Sequence, residues 1–226
     1  MKKIVLSLLG AALISLPSFS QGFEGQVTYD VEVKGDNAAL FSAMMPKSMD
    51  LFFLGKDAML RMNGGMTADM VGDIVTKGSE GITYMVVHKK KTVYKIDPAK
   101  EKKDKADKPT VTEEGTETVK GYNCKKYLVK FAKNDDQEVY QYMWCTNDIK
   151  IGKPKMASSG SNLFLDEIDG FPVKIDQYIT IKQMGGMTIN QEMTLDKISE
   201  TKPDATLFEI PKKYKMEDFD KSKFGK

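Results

Sequence analysis

A chain of 226 residues, 41% apolar and 29% charged, carries enough apolar side chains for one well-cored domain. Its 34 Lys and Arg against 32 Asp and Glu leave a formal charge of only +2, and Arg61 is the sole arginine. Near-neutrality and the lack of bidentate donors argue against a nucleic-acid partner.

Residues 1–20, "MKKIVLSLLGAALISLPSFS", have the plan of an export signal. Lys2 and Lys3 form the positive end, Ile4 to Leu16 the apolar core, and cleavage is expected between Ser20 and Gln21. That core is shorter than the roughly 20 apolar residues a membrane span needs. No transmembrane segment is therefore expected after cleavage, and the mature chain is expected in the periplasm or outside the cell. Removing the two lysines leaves 34 − 2 = 32 basic residues against 32 acidic ones.

In "GFEGQVTYDVEVKG", Val27, Tyr29, Val31 and Val33 alternate with polar residues, the period of a half-buried antiparallel strand. "NAALFSAMMPKSM" reads as a short helix stopped near Pro46. "MDLFFLGKDAMLRMNGG" predicts two strands about Gly55–Lys56, and "GITYMVVHKKKTVYKIDP" a second pair turning at the lysines. Residues 97–119, rich in Lys, Asp and Glu, are expected to be an exposed charged loop. "SSGSN" at 158–162 reads as a flexible connection. "FPVKIDQYITI" and "MTINQEMTLDKI" are strands joined across "KQMGG"; after "TLFEIPKKYK", residues 216–226 read as a polar tail. The sum is one mainly β domain over 21–226, a mostly antiparallel sheet with one or two helices.

The only two cysteines, Cys124 and Cys145, flank "ND" at 134–135. A two-residue turn there pairs positions summing to 269, which sets Cys124 opposite Cys145, Tyr127 opposite Tyr142 and Val129 opposite Tyr140. Together with an oxidising compartment and an even count, this points to a structural disulfide. Two cysteines without nearby histidines do not complete a zinc site, and the 20 residues between them are not the spacing of a redox pair.

No catalytic set stands out. His88, the single histidine, sits among strand residues before three lysines, where an edge position accounts for it. Asp166 and Glu167 are adjacent and would diverge, and "DEIDG" lacks the spacing of a calcium loop. No cofactor or metal is expected. Methionine is the unusual feature: 15 in all, with Met44, Met45, Met49, Met59, Met62, Met66, Met70 and Met85 in one block. Flexible thioethers suit an irregular core, a soft apolar cavity or, less simply, a Cu(I) site.

"FEGQVTYDV", "GYNCKKYLV…YQYMWCTND", "DGFPVKI" and "TLFEIPKKY" resemble, in order and over nearly the whole mature chain, the DUF4412 family of exported bacterial proteins. That family is similar to the LolA-like and LppX-like lipoprotein carriers. The resemblance implies a curved, open half-barrel sheet with helices over its concave face, and a concavity that receives acyl chains or other apolar ligands. It implies helix-side lining candidates Phe41, Met44 and Met45, and sheet-side candidates Met59, Tyr84, Tyr127, Val129, Tyr140 and Tyr142. The expected function is non-enzymatic binding of a lipid or other apolar ligand. The alternative is a structural or interaction module of the envelope, with a protein or lipoprotein partner and a self-filled core.

Overall fold

The computed structural model describes residues 22–100, 108–131, 137–151, 163–165 and 167–220. Twelve strands form one sheet in the order β12-β6-β5-β4-β3-β2-β1-β11-β10-β9-β8-β7. β1 (Gly25–Lys34) is central because Val27, Tyr29 and Val31 all point to the core while the alternate residues meet water. β2 (Ser48–Leu54) and β3 (Asp57–Asn63) form the hairpin expected about Gly55–Lys56, followed by β4 (Asp73–Lys77). β5 (Ile82–Val87) and β6 (Thr92–Ile96) turn at the lysines as expected, with Lys91 in the left-handed conformation. On the other side, β11 (Met187–Ser199) pairs with β1, and β10 (Phe171–Ile181), β9 (Gln137–Thr146), β8 (Tyr122–Lys130) and β7 (Thr110–Val119) follow outward. Apart from β12 on β6, every pairing is antiparallel.

The sheet curls strongly. β4 and β9 stand six strands apart in the order, about 29 Å on a flat sheet at ~4.8 Å per strand. Yet Ile74 of β4 and Gln141 of β9 line the same small cavity, which only a curled sheet permits. The concave side carries the larger core, including Tyr29, Leu51, Leu60, Met143, Ile175 and Leu195. The convex side of β2–β6 carries a second core of Met59, Val75, Val86 and Val93. A C-terminal strap closes it: the 3-10 turn Ala205–Phe208, capped by Asp204, drops Phe208 into that cluster.

Two short helices cross the concave side. α1 (Ala38–Phe41) buries Phe41, and α2 (Gly65–Val71) is bound to the chain after α1. The Thr67 amide and hydroxyl both donate to the Met44 carbonyl, at 2.9 and 2.7 Å. Glycine is obligatory on both sides of this junction. A Cβ on Gly65 would lie 2.1 Å from the Met45 carbonyl oxygen, and one on Gly72 2.0 Å from that of Val86, both with positive φ.

Several expectations change. Within the expected 97–119 loop, residues 110–119 are the edge strand β7, whose side chains are almost all solvated, so no apolar alternation announces it. Residues 101–107, the expected connection at 158–162, the expected turn at 134–135, the expected leader 1–20 and residues 221–226 lie outside the described residues. Met216–Asp218 of the expected polar tail belong to β12 (Lys215–Asp218), paired with β6.

The register of β8 on β9 also differs, by one residue. Lys125, not Cys124, faces Cys145; Tyr127 faces Met143 and Val129 faces Gln141. Because strand side chains alternate, one residue moves every β9 side chain to the other face. Tyr140, Tyr142 and Trp144 therefore stand on the convex side with Lys126, whose ammonium lies 4.7 Å from the Tyr142 ring centre. The two cysteines are buried and are not joined to each other in this structure.

Candidate functional site

The curl leaves a cavity of about 230 Å³ between the concave face and the two-helix cover. Met49, Leu60, Met62, Ile74 and Met193 enter from the sheet, Met45, Pro46, Thr67 and Val71 from the cover, and Leu163 from the chain before β10. These positions follow from period two: Met49 pairs with Met62, Leu51 with Leu60 and Leu60 with Ile74, so the cavity meets an apolar stretch of one face of three strands. The thioethers of Met45, Met49, Met62 and Met193 give a lining that adapts its shape.

One row of that lining is polar. Gln141, Gln177 and Gln191 stand side by side across β9, β10 and β11. Gln177 Nε2 donates to Gln141 Oε1 at 3.4 Å, and Gln141 Nε2 donates to the Met143 sulfur at 3.0 Å. Gln141 is fully buried. Such a row can offer amide donors and acceptors to an ester or carboxyl while the surrounding walls hold hydrocarbon.

A second hollow, about 410 Å³, lies beyond α2 at the rim of the sheet and shares Met62 with the first. Its walls carry the ionisable side chains Arg61, Asp69, Asp73, His88 and Lys89 among Met62, Ala68 and glycines 64, 65 and 72. Asp73 organises it. Arg61 donates through Nε and Nη2 to the two carboxylate oxygens, at 3.0 and 2.8 Å, and His88 Nε2 lies 3.1 Å from Oδ2. His88 Nδ1 in turn reaches the Tyr214 hydroxyl at 3.2 Å. Burial pushes the Asp73 carboxyl up, but the bonds from Arg61 and His88 outweigh it and hold its pKa below the ordinary value. The chain's single arginine and single histidine thus meet on one carboxylate as a structural anchor. Among the described residues, no group of three or more His, Cys, Asp or Glu is arranged to hold a metal ion.

Of the nine lining residues expected from the sequence, Met45 lines the apolar cavity. Phe41, Tyr127 and Val129 are buried but do not reach it. Met44 is turned outward, 44% exposed. Met59 and Tyr84 belong to the convex core under the C-terminal strap. Tyr140 and Tyr142 are on the convex face beside Tyr178, with Tyr140 stacked on Tyr178 at 4.7 Å. Leu60, Met62, Ile74, Met193 and the glutamine row were not among the expected residues. The glutamines had a visible signal: each sits two positions from an apolar core residue, as in Ile175–Gln177 and Gln191–Met193.

No curated protein matches the chain. Among solved structures, a domain of Vibrio parahaemolyticus assigned to outer membrane lipoprotein sorting is similar at 8% identity, TM-score 0.33, covering 84% of this chain and 90% of that one. A DUF1329 family protein from Desulfovibrio piger gives 10% identity and TM-score 0.33, covering 85% and 91%. A LolA superfamily protein from Nitrosomonas europaea gives 8% and 0.32, covering 85% and 92%. Similarity this distant transfers no function. The profile of DUF4412, a domain of unknown function, matches residues 39–214, and the chain belongs to that family.

Proposed function

We propose that this is an exported, non-enzymatic protein that holds a lipid or similar chain-bearing molecule in the concavity of its sheet. The supporting observation is the mainly apolar cavity of about 230 Å³, built by strands distant in the sheet and flanked by α2. Ligand pockets for small molecules run from ~300 to 1,000 Å³, so this space suits one hydrocarbon chain rather than a whole multi-chain lipid. Each methylene moved from water into such walls contributes about 0.8 kcal/mol. The glutamine row gives the polar end of the chain a fixed place. A leader at 1–20 would deliver the protein to a compartment bounded by membranes, where such chains are abundant.

Native mass spectrometry of gently purified protein, followed by organic extraction, tests the reading. The expected result is a stoichiometric adduct of lipid or fatty-chain mass. Leu60→Trp and, separately, Ile74→Trp, which place an indole in the cavity, should lose that adduct and bind a fluorescent fatty acid at least tenfold more weakly. A protein that neither carries nor takes up such a chain, or a pair of tryptophan variants that bind it as well as the parent, overturns the proposal.

A further inference from the structure

Of the methionines of the 44–85 block that do not line the cavity, Met59 and Met85 are buried, while Met44, Met66 and Met70 have gone outward to one place. Among the described residues five large apolar side chains are exposed, and four of them lie on the cover: Leu40 at 57%, Met44 at 44%, Met66 at 57% and Met70 at 62%. Leu40 and Met44 are four residues apart, as are Met66 and Met70 on α2, so each pair projects from one side of its segment. The hydrogen bonds from Thr67 to Met44 and from Met66 to Ala43 hold the two segments together as a single apolar surface. Its neighbours are basic. The turn from β5 to β6 packs His88–Lys90 beside α2, with Lys89 tied to Asp69 of α2 and Lys91 following at the turn's end. At the start of α2 the stem of Lys47 lies beside Gly64. Lys47, Lys90 and Lys91 have no ion-pair partner among the described residues.

We infer that this surface docks on an anionic lipid bilayer. Exposed, flexible thioethers flanked by unpaired lysines are what an acidic headgroup layer over hydrocarbon receives: the methionines enter the interface and the ammonium groups stay at headgroup level. A second copy of the chain fits the surface worse. A symmetric pairing would set Lys47, Lys90 and Lys91 against the same lysines of the partner. Docking here places the cover, and so the cavity beneath it, against the membrane. The inference stands on the surface alone and does not require the cavity to hold a ligand.

The test is flotation of the full chain with vesicles of phosphatidylglycerol and phosphatidylethanolamine, and with vesicles of phosphatidylcholine alone. The parent should float with the anionic vesicles, release in high salt, and leave the neutral ones largely unoccupied. Met66→Ser/Met70→Ser, at solvated positions, should reduce vesicle binding at least tenfold, and Lys90→Gln/Lys91→Gln should reduce both binding and its salt dependence. A parent that does not float, one that binds neutral vesicles equally, or a methionine variant that floats as the parent does, overturns the inference. So does a dimer in size-exclusion chromatography that the methionine variant abolishes, since the surface would then belong to a second copy.

Discussion

Replacing Asp73 by alanine removes the one acceptor on which Arg61 and His88 converge. The carboxylate is largely shielded, its side chain 13% exposed, whereas Arg61 is 37% and His88 53% exposed. Breaking a fully buried pair costs about 3–5 kcal/mol, and an exposed pair contributes about 0–1. With a shielded acceptor and wet donors, solvent screening discounts the larger figure, and we expect a loss of about 2 kcal/mol. For a domain of this size that lowers the midpoint of thermal unfolding by about 4–8 °C. The pH dependence has a definite sign. The Asp73 pKa is lowered in the fold, so its contribution is present above the ordinary carboxylate range and is lost as pH falls through the lowered value. Circular dichroism melts of parent and variant should therefore differ fully at pH 7 and converge on acidification below about pH 4. Arg61→Met/Asp73→Ala should lose less than the sum of its single variants, since no stranded charge remains. Equal melting points at pH 7, or a gap that does not narrow in acid, would refute the anchor.

On the convex face, Glu192 accepts from Lys34 at 2.6 Å and Lys174 at 2.7 Å; burial raises its pKa, but these bonds bring it down to about 2. Asp176, opposite it across β10 and β11, is pushed up by burial and by Glu192, so the pair keeps Glu192 ionised and Asp176 takes up a proton first. A raised carboxyl favours the fold at low pH and loses that contribution as pH rises through the raised value. Asp176→Asn should thus melt higher than the parent at pH 7, by about 0.5–1 kcal/mol, and match it near pH 3; destabilisation at pH 7 would contradict this. The Cys124–Cys145 disulfide remains a proposal that the observed register opposes, because Cys145 faces Lys125. Thiol labelling of unreduced, denatured protein should count two free thiols; zero, with a mass about 2 Da lower, would show that β8 slips one residue to close the bond.

Where one face of a strand is buried and the other solvated, the sequence declares the strand and its facing. Val27, Tyr29 and Val31 did so, and the β2–β3 and β5–β6 hairpins followed from apolar runs around turn residues. β7 was illegible because its Thr and Glu side chains leave both faces in water and only its backbone pairs with β8. α2 was hidden by its size: seven residues between glycines, stabilised by contact with the chain after α1 rather than by an apolar stripe of its own.

The lining residues were harder for a reason that lies in the fold. This sheet has a core on each face, the concave one and the smaller one beneath Phe208. A strand such as β3 is then apolar on successive residues: Met59 enters the convex core and Leu60 the cavity. Alternation no longer tells which side is which, and a choice wrong by one residue selects the wrong core. Facing is settled only by the neighbours across the ladder, and the glutamine row shows how. Gln141, Gln177 and Gln191 line up because all three strands share the phase set by Met143, Ile175 and Met193, which are in register with one another. Gln141 and Gln191 are buried and Gln177 half-buried, so the buried amides need partners within the fold, as Gln141 finds in Met143 and Gln177. That alignment is visible only across the three strands together, and it puts the glutamine row on the concave side, beside the cavity.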